Sequence, residues 1–426
     1  MEHRPTLNLL LLDVDGVLVE PLAYRQCIVK TLEILGRQVG LRNLEDVMPT
    51  ESDIAHMEAC GIHDVWDMTN ILFSAILERI TFHLTGTEAH EKSLSDRLEG
   101  LETINQRLTV FQKTPLVIQK PGYTEIATEL MKRLPAHPPD IALQMVEAQI
   151  RKQFASRALI YSLLEIHKAF LMGTRSVYES YGTGLFQNIL LGKDEFEKTY
   201  NLHSEYNEEP LLRVADKPLI SQQSVAMLQL LNERPDCRAA IYTARPSLPP
   251  PSETATEGFS PEAEIALDLC GMKGFPMVGM GMMQWLAART DCRTEDLTKP
   301  NTTQALAALA AAIYQQNDID LLEAAYRVDR EGENPHEHLL ANLAETPIRI
   351  YVFEDTVSGI NPMLKVAQKL QGDGFSVSVT PMGIAQQKSK HQALSMVTKH
   401  VFGNVDFALR FASHDMNTPA ASSGAF

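Results

Sequence analysis

Short apolar and β-rich runs mark the two ends of this chain, and the long stretch between them lacks that pattern. Five such runs are predicted as buried strands: Leu7–Leu12, Ala239–Thr243, Pro276–Gly279, Arg349–Phe353 and Ser376–Thr380. Most are bounded by turn residues or charges. Helical stretches separate the last four, for example Ser221–Glu233, Pro261–Cys270, Asn301–Gln315 and Asn361–Leu370. Alternating strands and helices predict βαβ units and a parallel sheet, hence an α/β fold.

Residues 21 to 210 show almost no strand pattern. Leu22–Leu35 has helical apolar spacing, with Pro21 placed for a first turn. Asp140–Met172 reads as one long helix or two abutting ones, with Asp140 as N-cap and Gly173 as stop. The expected organisation is a core of residues 1–20 and 210–414, a helical domain of residues 21–209 inserted after the first strand, and a flexible tail of residues 415–426. The five-proline segment Pro246–Pro261 reads as a loop following a strand. No internal repeat is visible.

Composition narrows the function classes. The chain has 426 residues, 44% of them hydrophobic, which rules out wholesale disorder and gives a prior of two or three domains. A net charge of −16 argues against binding nucleic acid or an anionic membrane surface, but not against a small anionic substrate. The five cysteines are scattered without CxxC spacing, so no zinc site or disulfide framework is expected. The N-terminal apolar run leads into Asp13 rather than a cleavage site, and no apolar stretch approaches the roughly 20 residues that span a bilayer. A cytoplasmic location is expected.

The candidate chemistry lies at the strand ends. The first strand runs into Asp13-Val14-Asp15-Gly16-Val17. In open α/β sheets the carboxyl ends of strands form the ligand crevice. Two carboxylates this close call for a cation between them, and Mg2+ suits hard oxygen ligands. The alternative is an Asp-Gly turn with a solvated acid. The second strand ends in Tyr242-Thr243-Ala244-Arg245-Pro246, where a hydroxyl and backbone N–H groups can hold a phosphoryl oxygen or simply make a turn. Lys299 opens the predicted helix Asn301–Gln315, where the helix dipole disfavours a cation unless an anion is near. Glu354-Asp355 ends the fourth strand and reads as further Mg2+ ligands or as an acidic helix cap.

Taken in order, these signals resemble the haloacid dehalogenase-like superfamily, which carries DxD, Ser/Thr, Lys and an acidic pair in this sequence. Here the motifs read DVDGV, YTARP, TKP and FEDTVSG. The FEDTVSGI stretch and the insertion after the first strand resemble the subgroup with a helical cap, which includes phosphoglycolate phosphatase and β-phosphoglucomutase relatives. The resemblance covers residues 5–20 and roughly 210–410. It implies a Rossmann-like three-layer core, a helical cap and Mg2+-dependent hydrolysis of a small phosphorylated metabolite. It implies Asp13 as nucleophile and Asp15 as general acid and base. Thr243 and Lys299 would hold phosphoryl oxygens, with Ala244 and Arg245 beside the substrate. Asp13, the Asp15 carbonyl, Glu354 and Asp355 would surround the metal. Alternatives within the same fold are a phosphomutase or a non-catalytic binding protein.

Other features carry plainer expectations. Arg245 fits a surface or loop salt bridge as well as a substrate contact. Met272, Met277, Met280, Met282 and Met283 are expected to pack in the core rather than line a pocket. His336-Glu337-His338 reads as solvated, and Gly182-Thr183-Gly184 as a helix break.

Overall fold

A computed structural model describes residues 6–85, 87–113, 116–204, 206–251, 258–337 and 339–417. The chain forms two compact units, one of Met1–Pro21 with Asp216–Phe426, the other of Leu22–Ala215. The crossings thus fall at 21/22 and 215/216, where the sequence pattern placed them at 20/21 and 209/210. The second is later because Leu211–Val214 forms one more helical turn, with Leu212 buried.

The first unit contains β1 (Leu7–Leu12), β2 (Val19–Glu20), β3 (Lys217–Pro218), β4 (Cys237–Tyr242), β5 (Met277–Val278), β6 (Ile348–Glu354), β7 (Val377–Ile384) and β8 (Val401–Phe402). Six of them make a parallel sheet in the order β5-β4-β1-β6-β7-β8. Leu10 lies opposite Ala239 on one side and Tyr351 on the other, so β1 is central. Burial on both faces explains its unbroken leucines. Leu9, Leu11 and Val352 pack under helices Thr302–Tyr314 and Val357–Gly372. Leu10, Leu12 and Phe353 pack under helices Gln222–Asn232, Glu262–Cys270 and Val405–Asn417. The result is a Rossmann-like α/β core. β2 pairs antiparallel with β3, so the chain leaves and re-enters this unit at neighbouring points.

Several local expectations need correction. Helix Val357–Gly372 begins at the cap Thr356, whose Oγ1 accepts the Gly359 N–H at 3.2 Å, so Pro362 lies inside it rather than at its start. Residues 140–172 form two helices, Pro138–Gln153 and Arg157–Leu171, with Ser156 capping the second. Asp140 lies in the first turn rather than at the cap, its charge still favourable to the dipole. Pro21 precedes the cap Leu22 of helix Ala23–Gln38. Asp415 belongs to the last helix and accepts the Tyr351 hydroxyl at 2.7 Å; the rest of the expected tail after Asn417 lies outside the described residues. Of the proline-rich loop, residues 252–257 lie outside them as well. Gly182 and Gly184 sit within helix Tyr181–Leu191 rather than breaking it. A Cβ on Gly182 would come 2.1 Å from Asn70 Oδ1, so this glycine permits the close approach of another helix. His336 stacks on Phe375 at 4.0 Å and its ring bonds the Asp373 carbonyl, so it is half-buried rather than fully solvated, while Glu337 is exposed; His338 lies outside the described residues. Met272, Met277, Met282 and Met283 are buried, and Met280 is half-buried.

Among the described residues of the second unit, the regular secondary structure is all helical apart from one bridge, Leu41 to Leu116. Phe73, Phe170 and Phe186 fill its centre between helices Ala23–Gln38, Val65–Leu84, Arg157–Leu171 and Tyr181–Leu191. Among the described residues, no helix is long and apolar enough to cross a membrane.

Candidate functional site

Parallel strands end on one edge, and β1 lies between β4 and β6, so the residues that follow these strands converge. Asp13 extends the ladder by donating its N–H to the Phe353 carbonyl at 3.0 Å. The chain then turns: the Val14 carbonyl accepts the N–H of Leu18 at 2.8 Å and of Val19 at 3.0 Å. Gly16 sits in this turn at φ 74°, and a Cβ there would come 2.3 Å from Asp355 Oδ2. Glycine is required twice over, for the backbone angle and for the close approach of the carboxylate.

Lys299 joins the strand ends. It precedes helix Thr302–Tyr314, as the sequence pattern placed it. Its ammonium donates to the Tyr242 carbonyl at 2.7 Å and to Glu354 Oε1, and lies 3.1 Å from Asp13 Oδ1. The same nitrogen sits 3.9 Å from the centre of the Tyr242 ring. Burial works against this ammonium, but the charges of Asp13 and Glu354 outweigh it and hold it above its ordinary pKa. Buried Gln304 fixes the loop: it accepts the Lys299 N–H at 3.1 Å and donates to the Thr243 carbonyl at 2.6 Å and the Val278 carbonyl at 3.2 Å.

Asp13, Glu354 and Asp355 each present a carboxylate oxygen, all within 4.8 Å of one another. Burial pushes the Glu354 carboxyl well above its usual range, with Asp13 adding to the shift and Lys299 opposing it. Asp355 is also raised, first by burial, although Lys390 pairs with it. The buried Glu354 Oε2 has no hydrogen-bond partner, whereas Asp13 Oδ1 faces the Lys299 ammonium as an ion pair. Hard oxygens, repelling charge and the unpartnered Glu354 oxygen together fit a small divalent cation such as Mg2+.

Asp15 stands on the other side of Asp13 in sequence and is turned towards a different group. Burial raises its carboxyl to about 6, against the opposing Arg245 guanidinium. Arg245 is a buried residue rather than a surface one, because two acids enclose it: Asp15 Oδ1 at 3.2 Å and Asp216 Oδ2 at 2.5 Å. The first contact is an ion pair not aligned as a hydrogen bond. Thr243 is buried, its Oγ1 accepting the Arg245 N–H at 3.2 Å, and Ala244 between them is half-buried.

The structure thus gathers Asp13, Thr243, Lys299, Glu354 and Asp355 at one sheet edge, with Asp15 and Arg245 adjoining. Sequence reasoning missed Gln304, Asp216, Lys390 and Gly359, whose missing Cβ makes room for the Glu354 carboxylate. Nothing local marks the first three. The Gly after FEDTVS was visible, but not what it clears. A separate cavity of about 960 Å³, wholly within the helical unit, is lined by Arg37, Gln38, Asn105, Tyr181 and His203 among others. It contains none of the residues gathered at the sheet edge.

No family model matches the chain, and no curated protein matches it. Among solved structures, it is similar to an X-ray structure described only as a structural genomics consortium target. That similarity has a TM-score of 0.63 at 13% identity, over 96% of this chain and 98% of the other. At this identity the likeness concerns the fold alone, and its coverage takes in both units.

Proposed function

We propose that this chain is a Mg2+-dependent phosphatase of the haloacid dehalogenase-like superfamily, acting on a small phosphorylated metabolite. The observation that carries the reading is the position of Lys299, whose ammonium bridges Asp13 and Glu354 beside a third carboxylate, Asp355. Such a group combines a nucleophile with the positive charge that phosphoryl transfer demands.

Asp13 would attack phosphorus: its oxygen forms the new O–P bond as the ester O–P bond breaks. Asp15 gives its proton to the departing oxygen, and a carboxyl raised to about 6 is suited to holding one. In the second half, a water oxygen bonds to phosphorus, the Asp13–phosphorus bond breaks, and the water proton returns to Asp15. The products are the alcohol and inorganic phosphate. Lys299 offsets the charge between Asp13 and the incoming dianion. The Thr243 hydroxyl accepts the Arg245 N–H, which leaves its own proton for a phosphoryl oxygen. Asp13, Glu354, Asp355 and the Asp15 carbonyl would hold the Mg2+, which when bound supplies further charge neutralisation at the phosphoryl group. The inserted unit Leu22–Ala215 would serve as a cap that excludes water, with hinges where the chain crosses between the units, at Pro21–Leu22 and Ala215–Asp216.

The test is phosphate release from a broad panel of phosphorylated metabolites, with Mg2+ and with EDTA, for the native chain and Asp13→Asn. Mg2+-dependent release that disappears in the variant supports the reading. Isomer formation on hexose phosphates without release would replace it by a mutase, and no turnover in a folded, Mg2+-binding protein by a non-catalytic role.

A further inference from the structure

Arg245 follows the strand end that supplies Thr243, yet its side chain is 0% exposed, which removes it from contact with a substrate. One guanidinium nitrogen faces Asp15 Oδ1 at 3.2 Å and another faces Asp216 Oδ2 at 2.5 Å. Asp216 is itself only 1% exposed at its side chain, so this arm of the pair is sealed. Asp15 is different. Its Oδ1 is buried against the arginine, but the side chain as a whole keeps 35% exposure, which therefore falls on its other atoms. The arginine backbone is fixed too, its N–H donated to Thr243 Oγ1 and its carbonyl accepting the Met280 N–H, both at 3.2 Å.

A purely structural ion pair would be complete with Asp216 alone. The same guanidinium instead holds one edge of the acid that would exchange protons with substrate and water. We propose that Arg245 is a positioning residue: anchored by Asp216, it fixes Asp15 Oδ1 inwards so that the opposite oxygen is presented to the leaving group and then to the attacking water. Asp216 is the first residue of the core after the helical unit, so the anchor stands where the chain returns from that unit. The inference rests on the phosphatase reading and assigns Arg245 a role other than substrate binding.

The experiment compares two substrates, the best alkyl phosphate from the panel and p-nitrophenyl phosphate, whose leaving group departs without a proton. In Arg245→Gln, kcat on the alkyl phosphate should fall by about 10- to 100-fold at unchanged KM. On p-nitrophenyl phosphate the rapid burst of nitrophenolate should survive while the steady state slows, because only hydrolysis of the Asp13 ester still needs Asp15. Arg245→Lys should recover part of the loss. Asp15→Asn should show the same pattern in stronger form. Asp216→Asn, nearly isosteric, should show it more weakly and decides the matter should Arg245→Gln not fold. A raised KM at constant kcat, an unchanged kcat, or equal loss of burst and steady state would overturn the inference. The phosphatase reading fails separately, if Asp13→Asn and Asp15→Asn leave phosphate release intact.

Discussion

Lys299 shows how much of the site depends on one side chain. Its ammonium is the counter-charge for Glu354, which has no exposed surface, and for Asp13. Removing one member of a buried pair leaves the other uncompensated, at about 3–5 kcal/mol. Lys299→Met should therefore lose about that much stability in chemical denaturation at neutral pH. The loss should shrink in acid, because the raised Glu354 carboxyl then takes a proton and no longer needs a partner. The two raised metal-site carboxyls also set a pH signature. In the metal-free protein, folded Glu354 and Asp355 keep protons at pH values where the unfolded chain has lost them. Their charging therefore opposes folding as pH rises past the ordinary carboxylate range, and a cation that binds the charged forms reverses this. Mg2+ should raise Tm only slightly at about pH 5 and by several degrees at about pH 8, with EDTA abolishing the gain. An increment independent of pH would contradict the proposed ligands. The acids were legible because each follows an apolar run at a strand end. The burial of Arg245 was not, because its partner Asp216 lies 29 residues away and leaves no local pattern.

Elements were legible where their pattern was long. β1 occupies the run read from its leucines, and helices Gln222–Asn232 and Thr302–Tyr314 lie within a residue of their predicted limits. β2, β3 and β8, two residues each, were not foreseen. The start of helix Val357–Gly372 was misplaced because Pro362 reads as a first-turn residue, whereas the Thr356 cap begins the helix earlier. That earlier start brings Gly359 against Glu354. A Cβ there would come 2.1 Å from the carboxylate carbon. Alanine would gain roughly 1 kcal/mol of helix propensity but lose about 1–3 kcal/mol to overpacking. Gly359→Ala should thus lower Tm and weaken Mg2+ binding together. Gly372→Ala, in the last turn of the same helix with nothing within 4 Å, should lower neither. Equal behaviour of the two variants would show that Gly359 is not making room for Glu354.

At the scale of the molecule, the inserted unit was legible as a long absence of strand pattern, and its limits were less so because helical turns continue to the re-entry point. Glu20 lies opposite Lys217 in the β2–β3 pair, so the ends of the interruption are already adjacent. Replacing residues 22–215 by a short Gly-Ser linker should leave a core that unfolds cooperatively; a chain with no thermal transition would show that the core depends on the inserted unit. The central claim concerns the core, that phosphorus is carried on Asp13. It is tested most directly by mixing protein, Mg2+ and the best substrate, quenching in acid and mapping the phosphoryl group by mass spectrometry of peptides. The account predicts one phosphoryl group on the peptide containing Asp13, lost in Asp13→Asn. Phosphate release at an undiminished rate in Asp13→Asn, or a phosphoryl group carried on another residue, would contradict it.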